Sequence, residues 1–181
     1  MKVRIENPFL RGLVEWALTI GLALLLALVI RTFLFRVTRV TGYSMEPSLS
    51  HGDVLILNRF SYLFLSPRVG DIVAFPYPEN PSEFFIKRVI AVSGDIVDLQ
   101  GNQFSVNGSL LNDDFSETPV LSSGTIGFPR GVEEGRFFVL GDNRNGSKDS
   151  RYASVGTIAG RDMLGRVFVR VWPLASFGRV N

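Results

Sequence analysis

An uncharged and almost wholly apolar run from Trp16 to Ile30 constrains this chain more than any other feature. It sits inside a longer apolar stretch, Leu13 to Phe35, and includes Leu22-Ala-Leu-Leu-Leu-Ala-Leu-Val-Ile30. As a helix, about 23 residues rising roughly 1.5 Å each reach about 34 Å, enough to cross the hydrocarbon of a bilayer. Glu15 and Arg31 then stand near the two ends, where long charged side chains reach headgroups, and Trp16 is placed as an interfacial anchor. A cleaved signal peptide with Lys2, Arg4 and Arg11 as its basic region is the rival, but Arg31-Thr-Phe-Leu-Phe-Arg36 offers no small-x-small cleavage site. A core helix apolar on every face does not suit a small domain. The expected division is a tail and anchor over residues 1–36 and a soluble domain over 37–181. Lys2, Arg4 and Arg11 are balanced by Arg31, Arg36 and Arg39, so charge alone chooses no orientation.

Beyond the anchor the hydrophobic period turns strand-like. Val37–Thr41, Asp53–Asn58, Asp71–Phe75, Phe84–Val92 and Ile96–Leu99 read as strands, followed by a hairpin through Gln100-Gly-Asn-Gln103 into Phe104–Val106. Phe137–Leu140 and Arg166–Trp172 supply later strands. In the last, Val167, Val169 and Val171 are expected to share one face, opposite Arg166, Phe168, Arg170 and Trp172. Residues 108–135 are the least patterned and read as an extended loop with little core. Phe60–Leu65 is a short apolar cluster that reads as a buried strand or turn, or as a patch that dips into the bilayer. The expected fold is mostly β, an antiparallel sheet domain behind one N-terminal transmembrane helix.

Composition removes several chemistries. The chain has no cysteine and one histidine, His51. That excludes disulfides, thiol nucleophiles, zinc–thiolate sites and any multi-histidine metal centre. A net charge of +2, from 19 basic and 17 acidic residues, is too small and scattered for a nucleic-acid footprint.

Three segments carry candidate chemistry. Gly42-Tyr-Ser44-Met-Glu-Pro-Ser-Leu49 presents a serine before a proline-limited turn, without the final glycine of a nucleophile elbow. Phe84-Phe-Ile-Lys87-Arg-Val-Ile90, as a strand, places Phe85, Lys87 and Val89 on one face. Apolar flanks would push the lysine toward its neutral form, able to take a proton from a hydroxyl. Gly141-Asp-Asn-Arg-Asn-Gly-Ser147-Lys-Asp149-Ser-Arg151 is dense in charge and hydrogen-bonding groups, and matches neither a calcium loop nor a phosphate loop. Taken singly, the three read equally as a turn serine, an edge lysine snorkelling to water and a solvated turn.

Together and in order, they resemble the type I signal peptidases, membrane-bound enzymes with a Ser-Lys dyad. The resemblance rests on Ser44-Met-Glu-Pro-Ser-Leu49, Gly70-Asp-Ile-Val73, Lys87-Arg-Val-Ile-Ala-Val-Ser-Gly-Asp95 and Gly141–Arg151, and covers about residues 8 to 173. It implies Ser44 as nucleophile and Lys87 as general base, with Ser147 hydrogen-bonding the Lys87 amine. It further implies that Asp142 pairs with Arg88 and Asp149 with Arg151, bracing the dyad. The Ser44 N–H would serve the oxyanion hole. Gly42 occupies the position where some members carry a second, side-chain donor, so that donor is missing here. Met45, Leu49 and Ile86 would line shallow pockets for small side chains of preprotein signal peptides. The family resemblance also implies an enzyme that needs no metal and no cofactor, a single-pass protein resting on the lipid bilayer, with a cytoplasmic N-terminus and an extracytoplasmic catalytic domain. Two rivals stay open: a self-cleaving Ser-Lys regulator of the SOS repressor type, and a non-catalytic membrane-tethered protein that binds exported chains.

Overall fold

The structure, a computed structural model, describes residues 8–29, 34–111 and 119–180. Helix α1 runs from Pro8 to Val29, with proline at the first helical position, where its missing N–H is no loss. It begins earlier than the apolar run suggests, so Arg11 and Glu15 lie within it and pair at 2.9 Å one turn apart. Glu15 therefore does not mark the helix end. The stretch Phe9–Leu28 is long and apolar enough to cross a membrane and none of it is buried against the domain. Lys2, Arg4 and Arg31 lie outside the described residues.

The rest is antiparallel β-structure. In chain order the strands are β1 (Phe35–Arg39), β2 (Val54–Asn58), β3 (Ile72–Tyr77), β4 (Asn80–Ala91), β5 (Ile96–Gln100) and β6 (Gln103–Val106). They continue with β7 (Ser109–Leu110), β8 (Arg130–Gly131), β9 (Arg136–Leu140), β10 (Ile158–Ala159), β11 (Gly165–Trp172) and β12 (Gly178–Arg179). One sheet has the order β1-β2-β11-β3-β4-β9-β10, with β12 on β11, and a smaller one has the order β7-β6-β5-β8. β1 begins at Phe35, so a division after residue 36 cuts through a strand.

Alternation explains the core. Leu55 and Leu57 of β2 point inward and pack with Val40, Met45, Leu49, Ile72 and Val167. Val73, Phe75, Val89 and Val139 build a second cluster on β3, β4 and β9. A third joins the small sheet to the large one through Val97, Phe104, Phe138 and Leu140. The expected hairpin is present, with Gln100 opposite Gln103 and Gly101 at φ +63° in the two-residue turn.

Three expectations are corrected. Strand β11 shifts register between Val167 and Val169 and again between Arg170 and Trp172, so its valines do not form one face. Such bulges re-aim side chains, and Arg170 bonds the buried Asp53 carboxylate at 2.8 Å. Residues 119–135 contribute core after all, since Val120 and Val132 are buried and Ile126 and Phe128 pack beside them. Phe60–Leu65 is not a strand: Ser61–Phe64 form one helical turn, α2, with Tyr62 packed on the Val73 cluster and Phe60 and Leu65 exposed.

Candidate active site

The turn between β1 and β2 places Ser44. Val40 closes it from both ends, donating to the Asp53 carbonyl and accepting from Gly52 N–H. Gly42 sits at φ +95°, a conformation that a side chain would strain. Leu49 N–H donates to the Met45 carbonyl at 2.8 Å, one helix-like turn that stacks Met45 and Leu49 inward and leaves Ser44 half-buried at the rim.

Strand β4 brings the lysine, 43 positions along the chain, to that serine. Lys87 Nζ lies 2.7 Å from Ser44 Oγ and donates to the Ile86 carbonyl at 3.0 Å. Only 3% of Lys87 is exposed. Val73 is its cross-strand partner, and the Phe85 ring centroid is 5.1 Å from Nζ. Burial therefore pushes the amine down from 10.5 to about 8, against the pull of Asp149 and Asp142 to raise it, while Arg151 helps to lower it. A serine hydroxyl beside a mostly desolvated amine of this basicity is an arrangement able to form an alkoxide-like nucleophile.

The loop after β9 clamps both groups. Asn143 N–H donates to the Ser44 carbonyl at 3.1 Å, and its amide donates to the Tyr43 carbonyl at 3.1 Å. Arg88 and Asp142 make a two-pronged buried pair, Nε to Oδ1 at 2.9 Å and Nη2 to Oδ2 at 2.8 Å. Arg88 also donates to the Gly70 carbonyl and to Ser48 Oγ, tying the strand pair to the serine turn. Arg151 grips Asp149 in the same two-pronged way, at 2.7 and 2.9 Å, and donates to the Arg144, Ser147 and Ser122 carbonyls. Asp149 also accepts from Gly141 N–H at 3.1 Å.

A cleft of about 530 Å³ runs past the pair. The edges of β1 and β4 flank it, and Met45, Leu57, Ala74, Ile86 and Leu164 supply apolar lining. Two expected roles, those of Leu49 and Ser147, do not match the geometry, and the backbone of Gly42 is already engaged. Leu49 is fully buried among Leu55, Leu57 and Val40 and does not line the cleft, because the Met45–Leu49 turn aims it at the core. The Gly42 N–H is taken by His51 Nδ1 at 3.1 Å, so this backbone group offers nothing to an oxyanion. Ser147 makes no hydrogen bond to Lys87: its Oγ is buried without a partner, packed over Gly141, while the amine is engaged by Ser44 and Ile86. A Cβ on Gly141 would fall 2.2 Å from Ser147 Oγ and 2.4 Å from the Ser44 carbonyl oxygen, so only glycine lets the two sit so close.

Residues 13–172 match the model of the family described as signal peptidase, peptidase S26. The chain belongs to this family. It is 39% identical over 183 residues to a signal peptidase I of Leptolyngbya laminosa, covering 97% of this chain and 86% of that protein. A probable signal peptidase I-2 of Synechocystis is 35% identical, covering 96% of this chain and 79% of its own. Signal peptidase I P of Bacillus subtilis subsp. natto is 31% identical, covering 90% and 91%. In this signal peptidase fold the residues that reading by motif passed over are Asn143, Ser48 and the Asp53–Arg170 pair. Asn143 and Ser48 stand inside the boxes already noticed. Arg170 carried no signal, because only the bulge turns it inward.

Proposed function

We propose that this chain cleaves signal peptides from exported preproteins, with Ser44 as nucleophile and neutral Lys87 as general base. The observation that carries the assignment is the buried Lys87 amine 2.7 Å from Ser44 Oγ on the wall of an open cleft. The peptide lies extended between the edges of β1 and β4, pairing with backbone groups there. Met45 and Ile86, with Ala74 behind them, hold small side chains and exclude large ones.

Chemistry then follows from the pair. Ser44 Oγ–H gives its proton to Lys87 Nζ as Oγ attacks the scissile carbonyl. The Ser44 N–H stabilises the oxyanion. The ammonium returns the proton to the leaving amine, leaving an ester on Ser44. Lys87 next deprotonates a water that hydrolyses the ester. Ser147, buried beside Ser44 with its hydroxyl unengaged, turns to Lys87 once the Ser44 proton has moved and holds the amine for this second step. Helix α1 anchors the protein in the bilayer in a single pass, and the domain works on the extracytoplasmic side.

The test is cleavage of a preprotein by full-length protein in lipid vesicles. Wild type should release the mature protein, Ser44→Ala and Lys87→Met should not, and His51→Ala should retain most activity. Loss of cleavage in a folded His51→Ala protein would refute the dyad.

A further inference from the structure

We propose that Lys148 gives the cleft a charge preference, favouring substrates with an acidic side chain beside the scissile bond over those with a basic one. This rests on the cleavage reading above. Lys148 follows Ser147 on the clamp loop and lines the same cleft as Ser44 and Lys87. Its position is held by a stack that also carries the dyad. Lys148 Nζ donates to Tyr77 Oη at 2.5 Å and lies 4.7 Å from the ring centroid. Tyr77 stacks on Phe85 at 4.6 Å with ring planes 8° apart, and Phe85 is the ring beside Lys87 Nζ. An ammonium fixed on that ladder keeps a set place relative to Ser44.

Apart from Lys87 itself, the remaining cleft charges are Arg36, Arg39 and Glu83, so with Lys148 the walls around the dyad carry three cations against one carboxylate. Glu79 competes for Lys148 from 3.8 Å, but both side chains are about half-exposed, 47% and 60%, so their pair is weak and screened. Lys148 bonds the hydroxyl of the buried Tyr77, but about half of its side chain stays exposed, so its charge is available to a peptide laid across it. An acidic side chain there gains a partner, and a basic one meets repulsion, in a cleft whose low-dielectric walls focus the field of its charges.

The experiment uses the full-length chain in detergent micelles and one cleavable peptide. Asp, Gln or Lys is placed singly at each position flanking the cut. At one position wild type should cleave the Asp peptide about fivefold faster than the Lys peptide in kcat/KM, the scale of an exposed pair. Lys148→Glu should invert that ratio, Lys148→Gln should bring it near one, and Glu79→Gln should enlarge it. Salt at about 0.5 M should compress it, since screening then acts within a few ångströms. An Asp-to-Lys ratio unchanged at every position in Lys148→Glu overturns the inference while leaving cleavage itself intact. Failure of wild type to cleave any peptide overturns instead the reading on which it rests, and the inference with it.

Discussion

If Lys87 is the base, pH should report its burial directly. With the amine pushed down from 10.5 to about 8, roughly 9% is neutral at pH 7, against about 0.03% for the unshifted lysine. Burial thus enriches the reactive form by about 300-fold. The profile of kcat/KM for a short peptide, which reports the free enzyme, should climb about tenfold per unit at low pH and level off above 8. From pH 6 to pH 8 the gain should be about 50-fold. Phe85→Ala opens the wall beside Nζ to water, so the limb should move up toward 10.4 while the high-pH plateau survives. A limb near 6.5 that disappears in His51→Ala, or a flat profile between pH 6 and 8, would refute the reasoning.

The same shift has a stability consequence. An unfolded lysine near 10.4 holds a proton between about pH 8 and 10.4 that the folded one has released. The unfolded state binds more protons in that window, so stability rises with pH across it and is lost again as pH falls through 8. Below 8 the folded protein carries the full penalty, about 3 kcal/mol for a shift of this size. Lys87→Met should therefore be more stable than wild type in urea at pH 7, by up to that amount, and the difference should shrink at pH 10.

Gly141→Ala should abolish cleavage and cost about 1–3 kcal/mol in thermal unfolding, because its Cβ collides with the Ser44 carbonyl and Ser147 Oγ. Arg170→Met leaves Asp53 nearly buried without its guanidinium and releases the Ser48 carbonyl. It should cost about 2 kcal/mol in urea unfolding, less than a fully buried pair because Arg170 is 21% exposed, and it should lower kcat more than it raises KM. A chain starting at Leu34 keeps β1 and should cleave a short peptide, whereas one starting at Val40 loses a cleft wall and should not. Peptide cleavage by the two purified forms decides it.

Much of the fold was legible because its signals are local. The long apolar helix α1, the hairpin at Gly101 and the longer strands follow from apolar runs, alternation and turn residues. The two-residue strands β7, β8, β10 and β12 were not, since a pair of residues has no period to read. The start of α1 was misjudged because Arg11 and Glu15 interrupt the apolar run, yet they satisfy each other one turn apart. At the site, Ser44 and Lys87 could be named from their boxes, and the packing then sorted their neighbours. Met45 and Leu49 are equally apolar in sequence, and a single i to i+4 turn stacks both into the same core cluster, but only Met45 also reaches the cleft wall. Gly42 could not be read as unavailable without seeing His51 Nδ1 on its N–H.

The charges around Lys87 explain why the clamp needs arginines as well as aspartates. Asp149 and Asp142 both act to hold the amine protonated, which opposes the proposed role as a base. Each carboxylate is gripped by its own buried guanidinium, Arg151 or Arg88, through two hydrogen bonds. A paired carboxylate projects a much smaller field at Nζ than a bare one, so desolvation prevails and the amine stays near 8. Such pairs contribute little net stability, because desolvating both charges offsets most of their attraction. What they supply is direction: Arg88 fastens Gly70 and Ser48, and Arg151 fastens the carbonyls of the loop that holds Ser44 through Asn143. Apolar packing alone could bury Lys87, but it could not also fix the serine carbonyl and Oγ. Breaking either pair by removing its arginine should thus raise the Lys87 pKa as well as loosen the serine turn, and the first effect would appear as an upward move of the pH limb.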